Sequence, residues 1–297
     1  MAIPKAYLSV VMESCGIWQD LYDYLVERCA VVKVANPRQT KLDDSGRKTD
    51  KWDSRRLAEK LRADEIYESY IPPKDARDYR YKIRHRQSMV TISTELKNMI
   101  HAKLRMKNIK RPTGFADIFT KKGIRWLKSL QMSEIDGCLD LLGATKIAIS
   151  NSEGAIPQKF CRNEIELLKT MPGVGDITAQ VIMSEIVDIK RFNDPKALCK
   201  YAGLVPRVIQ SGDSDRRGGL VKQSSATLRT AIIQCAHGAI ATKDDGKLKT
   251  FFQKHYKKNK KRYNTAITAL AHKMLYIMWF MLTNNEEFHD GGIPVGE

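Results

Sequence analysis

The sequence predicts a chain that is α/β at its start and all-α afterwards, in three parts: residues 1–73, 74–160 and 161–297. Two observations predict this class. Strand-like and helix-like hydrophobic patterns alternate before Pro72 and Pro73, which favours a sheet with crossover helices. After these prolines, apolar residues recur almost entirely at helical spacing, which favours helices packed on helices.

The α/β part is predicted from four consecutive segments. YLSVVME alternates as a strand does, and AVVKVAN is a short β-branched run typical of a second strand. Residues Trp18–Arg28 and Thr49–Ala63 each carry apolar residues along one helical face. Pro37 and Ser45-Gly46 indicate a loop between the second strand and the second helix. The order strand, helix, strand, helix predicts a parallel or mixed sheet.

The middle part is predicted to be a helical arm. Its apolar positions recur near heptad spacing, as in a long helix packed on a partner helix: Met89, Ile92, Leu96, Met99 and Leu104. Pro112 and Gly114 end this helix, and a second one follows around Ser133–Ala148. Two interpretations stay open, a helical linker or cap and a dimerising arm that also contacts nucleic acid. Three cations of the arm are candidate contacts to a nucleic-acid backbone: Arg84, Arg86 and Lys103.

Composition narrows the class of partner. The 297-residue chain has a net charge of +17, and such an excess of Lys and Arg predicts an anionic partner such as DNA. The six cysteines are scattered without metal-site spacing, which favours reduced thiols in a cytosolic protein. No signal peptide is predicted at the N-terminus. The most apolar stretch, Ala266–Leu282, contains His272 and Lys273, so we predict a buried core helix and no membrane span.

The third part contains a glycine turn between two apolar helices, MPGVG at residues 171–175. This pattern is typical of a helix-hairpin-helix, in which glycines allow a tight turn and the second helix offers free N–H groups to a phosphate. The candidate DNA-binding residues are therefore Gly173, Val174 and Gly175. The alternative is an ordinary turn between helices with a glycine C-cap.

Three acidic residues form a candidate metal site. Glu13 follows the first predicted strand, and Asp50 and Asp53 lie three residues apart on one helical face. Carboxylates placed in this way can bind Mg²⁺, and two such ions can hold the attacking and leaving oxygens of a phosphodiester exchange. From spacing alone, solvated surface carboxylates remain the alternative.

A serine in the Gly- and Arg-rich segment at residues 210–219 is a candidate nucleophile. Ser211 would attack a phosphodiester, and Arg216, Arg217 or Arg229 would neutralise the transition state. The alternative is a polar surface loop. Further along, a lysine cluster interleaved with tyrosines would follow a nucleic-acid backbone: Lys257, Lys258 and Lys261.

Taken in order, six blocks of the sequence resemble one family, the DEDD-type transposases of insertion-sequence family one hundred and ten and their Piv-type DNA invertase relatives. The blocks are VMESCGIW from Val11, VANP from Val34, KTDKWDSRRLA from Lys48, PGVG from Pro172, YAGLVP from Tyr201 followed by Ser211-Gly212, and Leu228-Arg229. They extend over most of the chain, which makes the resemblance far more specific than any single motif.

The resemblance implies a RuvC-like, RNase H-type domain in which Glu13, Asp50 and Asp53 are three of four metal-binding acids. It also implies a coiled-coil arm and a transposase domain whose Ser211 links covalently to DNA. The implied cofactor is Mg²⁺. The implied partners are DNA, a structured guide RNA and further copies of the chain in a homodimer or homotetramer, in the prokaryotic cytoplasm at the nucleoid.

One departure from the family bears on activity. Family members carry an Asp on a strand ahead of the Glu13 block, whereas the twelve residues before Glu13 contain none. We therefore expect a RuvC-like domain that lacks its first strand, explained by a truncated chain, a start assigned too late or a degenerate copy. The leading prediction is a DNA recombinase, and the alternatives are an inactive DNA- or RNA-binding remnant and a nuclease that cuts without rejoining.

Overall fold

A computed structural model describes residues 8–14, 16–40, 49–157, 159–211, 214–221, 224–242, 246–258 and 262–290. Contacts between residues divide the chain into two compact units, residues 1–73 and 74–297. Helices predominate in the described residues, which also contain a two-stranded parallel sheet and a β-hairpin.

The first unit has the two strands and the two longer helices that its hydrophobic pattern predicts. Strand β1 is Ser9–Glu13, α1 is Trp18–Val26, β2 is Val31–Ala35, α2 is Pro37–Thr40 and α3 is Asp50–Arg62. The two strands are parallel, with Ser9 opposite Val31 and Glu13 opposite Ala35. Pro37 thus begins a short helix, where a loop was predicted, because its fixed φ suits the first turn of a helix.

The small core of this unit holds α3 against the sheet. Leu57 of α3 is buried with Ala35 and Ile66, and Val11 and Leu61 pack around them. The second edge of β2 is partly paired, because the Asn36 amide donates to the Tyr67 carbonyl at 2.8 Å and the Ser69 amide donates to the Val34 carbonyl at 2.7 Å. These bonds satisfy backbone groups that an open strand edge would expose.

The second unit begins with the arm. Helix α4 is Lys74–Met106, α5 is Lys121–Ser129 and α6 is Ser133–Gly154. Helix α4 packs along α6, and of its predicted apolar positions Leu96 and Leu104 are buried. Ile92 and Met99 are 40% and 49% exposed, so within this chain they do not pack against α6, and their packing on a helix of another copy stays a prediction. The face of α4 that packs on α6 rotates gradually along the helix, because a helix with 3.6 residues per turn does not keep a seven-residue repeat on one face.

The remaining elements surround one large core. Helix α7 is Arg162–Lys169, α8 is Asp176–Ile186, α9 is Pro195–Ala202, α10 is Ala226–Ala241, α11 is Lys247–Lys258 and α12 is Tyr263–Asn284, with a 3₁₀ turn at Ile189–Arg191. Strands β3 (Pro206–Ser211) and β4 (Ser214–Leu220) form an antiparallel hairpin where no strand was predicted. SDRRGGL in β4 has neither β-branched residues nor alternation, so its strand is stabilised by pairing with β3.

Helix α12 is the central helix of this core. By length and composition it is the one helix among the described residues that is long and apolar enough to cross a membrane. Along it, Leu270, Met274 and Met278 are completely buried against the surrounding helices. The prediction of a buried core helix is therefore confirmed.

Candidate functional site

Ser211 lies at the end of a β-hairpin. It is the last residue of β3 and pairs with Ser214, the first residue of β4. On β4, Arg216 pairs with Ile209 and Arg217 pairs with Val208. The side chains of residues 207–211 and 214–220 lie outside what the structure describes, and so do Gly212 and Asp213. Ser211 is therefore presented on a paired strand, whereas the sequence suggested a flexible loop.

The base of this hairpin is fixed to the helical core by hydrogen bonds. The Val221 amide donates to the Val205 carbonyl at 3.2 Å, which closes the hairpin below β3 and β4. Arg229 of α10 donates from Nη1 to the Val221 carbonyl at 3.3 Å. The backbone of Ser225 donates to the Tyr201 carbonyl at 2.9 Å. Arg229, a predicted DNA contact, thus holds the chain where it leaves the hairpin.

A fully buried carboxylate lies behind this base. Glu185 of α8 has no exposed surface, and its carboxylate accepts hydrogen bonds from Nε and Nη2 of Arg84 at 2.9 and 3.0 Å. Its Oε2 also accepts from the Ser225 hydroxyl at 3.0 Å. That hydroxyl caps α10 by accepting from the Leu228 amide at 3.2 Å. Glu185 therefore links the arm helix to the start of α10, directly after the hairpin.

Arg80, one turn before Arg84 on the arm helix, contributes to the same junction. Its Nε donates to the Ser184 carbonyl at 2.7 Å, in the last turn of α8, where carbonyls lack partners within the helix. Burial lowers the pKa of the Arg80 guanidinium, and the neighbouring Glu185 carboxylate opposes this shift. Arginine titrates so far above neutral pH that the group stays charged.

Glu185→Ala is expected to lower the free energy of unfolding by about 2–4 kcal/mol, because it removes a buried acceptor of Arg84 and Ser225. Arg84 keeps half of its side chain in solvent, which limits the loss. Glu153→Ala is the matched control, since its pair with Arg86 is partly exposed and is worth at most about 1 kcal/mol. Urea unfolding compares the two, and equal losses would contradict a special role for Glu185.

The glycine turn between α7 and α8 is explained in part by internal packing. Gly173 has φ +87°, a conformation that L side chains rarely adopt. A Cβ at this position would lie 2.3 Å from the Ala239 amide nitrogen and the Cys235 carbonyl oxygen of α10. Gly238 of α10 is the other half of this close approach. The turn therefore needs glycine at residue 173 irrespective of any ligand.

The amides of this turn are partly used within the protein. The Val174 amide donates to the Met171 carbonyl at 3.1 Å, and the Val174 side chain is buried in the main core. The Gly175 amide donates to the Thr178 hydroxyl at 2.9 Å at the start of α8. Gly175 itself is exposed. A DNA contact at Gly173, Val174 and Gly175 stays a prediction, and only part of its expected donors remain available.

The three candidate acids lie in the first unit. Glu13 is the exposed last residue of β1, and Asp50 and Asp53 occupy the first turn of α3, where Thr49 caps the helix. Carboxylate oxygens suit Mg²⁺, but no three His, Cys, Asp or Glu side chains come together as a metal site within the described residues. Asp50 and Asp53 also stabilise the positive end of α3 by their charge. The donors fit the ion chemically, while a complete site is not formed by the described residues.

The candidate cations differ in their surroundings. Arg84 and Arg86 are ion-paired with Glu185 and Glu153, at 2.8 and 2.6 Å, so each has a structural role. Lys103 is half-buried on the arm. Two lysines at the end of α11 are exposed, Lys257 and Lys258. Lys261 lies outside the described residues.

Burial makes two of the five described cysteines poor alternatives to Ser211 as a nucleophile. All five are free thiols. Burial raises the pKa of Cys199 to about 12 and that of Cys235 to about 11, which keeps both in the unreactive thiol form at neutral pH.

Two family models match this chain, one in its N-terminal and one in its C-terminal part. A model of DEDD transposases of the IS110 type matches residues 5–108, and a model described as the transposase IS116/IS110/IS902 family matches residues 165–253. The chain belongs to the IS110 family of transposases. The first match contains Glu13, Asp50 and Asp53, and the second contains the glycine turn and the hairpin that carries Ser211.

Relatives of this IS110-family chain include transposases over nearly its full length. The transposase for insertion sequence element IS1111A of Coxiella burnetii is 26% identical over 295 residues, 95% of this chain and 79% of that protein. The transposase for insertion sequence element IS1328 of Yersinia enterocolitica is 23% identical over 94% of this chain and 85% of that protein. A pilin gene-inverting protein of Moraxella bovis is 30% identical over 125 residues, 41% of this chain and 38% of that protein.

Two residues at the hairpin base of this IS110-family chain, Glu185 and Arg80, were not predicted as site residues. A signal for Glu185 was present, because a single carboxylate within the apolar run VIMSEI must be paired if the helix is buried. Arg80 carried no such signal, since it lies among other arginines and lysines of the arm.

Proposed function

We propose that this transposase cuts and rejoins DNA strands with Ser211 as nucleophile and with Glu13, Asp50 and Asp53 as ligands of Mg²⁺. One observation carries the proposal: Ser211 ends a strand whose base is fixed by Arg229, Ser225 and buried Glu185, inside the region that matches the transposase family. Pairing of β3 with β4 up to Ser211 and Ser214 extends this anchoring to the end of the hairpin, which would lower the entropic cost of placing the nucleophile.

The chemistry would exchange one phosphodiester for another. The Ser211 oxygen attacks the phosphorus, the bond to one DNA oxygen breaks, and that oxygen leaves as a hydroxyl after taking up a proton, while the serine proton passes to solvent or a base. A hydroxyl of the second DNA strand then attacks the phosphoserine and releases Ser211. Arg216 and Arg217 neutralise the charge that develops on the phosphate oxygens. Mg²⁺ held by Glu13, Asp50 and Asp53 would supply Lewis-acid stabilisation of a phosphate.

The test of the proposed function is strand exchange between two marked DNA molecules that carry the element's junction and a target, with Mg²⁺ and any RNA encoded beside the element. Recombinant joints are the expected product. Cutting without joints would favour a nuclease and contradict the proposal.

The acids are tested by metal binding as well as by activity. Asp50→Asn is expected to abolish exchange and to weaken Mn²⁺ binding, measured by electron paramagnetic resonance, by at least about ten-fold, because a charged oxygen ligand is lost. Asp20→Asn, on the exposed face of α1, is the control with the same change of charge. Equal Mn²⁺ affinity in both variants would contradict a metal site at Asp50.

The proposed partners are DNA, a structured guide RNA and further copies of the chain, in the prokaryotic cytoplasm at the nucleoid. The net charge of +17 supports a nucleic-acid partner. Ile92, Met99 and Met106 are exposed on α4 at seven-residue spacing, which supports a homodimer or homotetramer formed through a second helix.

A second candidate function is nucleic-acid binding without strand chemistry. It is favoured by the absence of a three-residue metal site among the described residues. Under this alternative the chain would bind the element's junction DNA with unchanged affinity in the presence and absence of Mg²⁺ and would form no recombinant joints.

A further inference from the structure

The far end of the arm concentrates positive charge. We call residues 97–132 the arm tip, which comprises the last turns of α4, the connecting segment and α5. Asp117 is its one carboxylate. Its ten cationic side chains are Lys97, Lys103, Arg105, Lys107, Lys110, Arg111, Lys121, Lys122, Arg125 and Lys128. This charge distribution is far more one-sided than that of the whole chain, in which 51 cations face 34 acids.

These cations have no carboxylate partner in the part of the chain that the structure describes. All residues of the arm tip are described, and no ion pair joins any of its cations to a described carboxylate. Eight of the ten are exposed, all except Lys97 and Lys103. Asp117 is used locally, because its Oδ1 accepts from the Phe119 amide at 2.9 Å. Nearer the start of the arm, in contrast, Arg84 and Arg86 each have a carboxylate partner.

The arm tip is a folded platform with its own core. Ile100, Leu104, Ile118 and Leu127 are buried together with residues at the start of α6, apart from the main core. At Gly123, a Cβ would lie 2.2 Å from the Ile118 carbonyl oxygen, so α5 packs directly on the connecting segment. The exposed cations are therefore held in fixed relative positions, which a solvated tail would not provide.

Aromatic rings lie between these cations. The Lys97 ammonium is 5.4 Å from the centre of the Phe119 ring, and the Lys122 ammonium is 4.9 Å from that of Phe115. Phe115 in turn packs against Trp126 at 6.0 Å. Cation–π contacts of this kind orient lysines without neutralising them.

The charge has an energetic cost in the isolated protein. Lys121 and Lys122 occupy the first turn of α5, where the positive end of the helix dipole disfavours cations, and no acidic residue is present in that turn. Like charges along the arm tip also repel one another. Lysines at the start of a helix contradict the usual charge preference there, and such exceptions are expected at functional sites. An anion bound at the arm tip would offset both the unfavourable interaction with the helix dipole and the repulsion between the cations.

We propose that the arm tip binds the phosphate backbone of a nucleic-acid duplex, as a sequence-independent clamp remote from Ser211 in the sequence. The proposal rests on the proposed function only in that the chain acts on nucleic acid. Spaced cations on a rigid, aromatic-lined surface fit a row of phosphates. The duplex is either DNA or RNA, since both present this chemistry, and the experiment below separates them.

The experiment measures the salt dependence of binding by the full chain. In the tip variant, four exposed cations become Gln: Arg105, Lys107, Lys121 and Lys122. In the control variant, four exposed lysines of the same unit become Gln: Lys74, Lys82, Lys146 and Lys159. Fluorescence anisotropy gives the dissociation constant for a DNA duplex and for an RNA duplex of equal length across a salt series. Circular dichroism verifies that both variants keep the helix content of the parent protein.

The tip variant is expected to bind at least about ten-fold more weakly. The plot of the logarithm of its association constant against the logarithm of salt concentration should be less steep by about 3–4 for B-DNA. The control should change the slope by less than about 1. A loss for only one duplex type identifies that type as the partner. Equal effects in both variants would overturn the proposal, as would a tip variant that loses binding to anionic lipid vesicles and keeps binding to both duplexes.

A further variant separates charge from folding. Replacing Lys107, Lys121 and Lys122 by Arg keeps the charge and should keep the salt slope, whereas a loss of slope here would contradict an electrostatic clamp. Ser211→Ala should leave the slope unchanged. A chain that forms no recombinant joints but shows the tip-dependent slope would contradict the proposed function and leave this inference standing.

Discussion

Ser211→Ala is expected to reduce strand exchange by at least about a thousand-fold, because a methyl group cannot attack phosphorus or carry a phosphodiester. The substitution removes one oxygen and leaves the strand pairing of β3 with β4 through their backbones. DNA affinity should therefore stay close to that of the parent protein. The measurement is the initial rate of recombinant-joint formation at saturating DNA.

Ser214→Ala is the matched control for this loss. Ser214 is the cross-strand partner of Ser211, in the same hairpin and with the same side chain. Exchange that survives in the Ser214 variant and disappears in the Ser211 variant assigns the chemistry to one hydroxyl. Similar rates in the Ser211 variant and the parent protein would contradict the proposed nucleophile.

Gly173→Ala is expected to lower the free energy of unfolding by about 2–5 kcal/mol, since left-handed backbone strain adds to overpacking against another helix. The new Cβ would meet the backbone of Cys235 and Ala239 at 2.3 Å, and backbone atoms cannot rotate away as a side-chain end would. To relieve the clash, α10 would have to shift, and Ser225 and Arg229 at the hairpin base would shift with it. Urea unfolding measures the loss.

The control for Gly173→Ala is Gly137→Ala on α6, where nothing lies within 4 Å of the added Cβ. That change is expected to be neutral or to stabilise by up to about 1 kcal/mol, because alanine is the better helix former. If Gly173→Ala left the stability unchanged, the close approach of the glycine turn to α10 would be contradicted.

Local pattern predicted the first unit well. YLSVVME and AVVKVAN form β1 and β2, because β-branched residues in short alternating runs favour strands. Helix α3 begins one residue after Thr49, which caps it by accepting from the Trp52 amide at 3.3 Å. Capping and periodicity act within a few residues, so the sequence contains the information directly.

Long-range pairing explains what the sequence did not predict. Strand β4 forms because it pairs with β3, whereas its own sequence, SDRRGGL, has no pattern that predicts a strand. Gly173 was selected as a candidate DNA contact, whereas the glycine that packs closely against it is Gly238, 65 residues further along the chain. Arg84 was selected as a nucleic-acid contact, and its bond to Glu185 joins residues 101 positions apart. Such contacts depend on how helices pack, which local periodicity does not specify.

The residues of the candidate site could be predicted from the sequence, but the contacts around them could not. The positions of Ser211 and the three acids were selected by their resemblance to a family that the comparisons confirm. The anchoring of the hairpin by Arg229, Ser225 and Glu185 became visible only in the structure. The basic arm tip was visible in composition, yet its separate core and its unpaired charge were not.

The most direct test of the central claim is covalent trapping on Ser211. The full chain is incubated with Mg²⁺, DNA carrying the element's junction and any RNA encoded beside it, then denatured, digested and examined by mass spectrometry. A phosphodiester-linked nucleotide on the peptide that contains Ser211, absent in Ser211→Ala, is the predicted result. Recombinant joints formed without any adduct on that peptide would contradict a serine recombination mechanism.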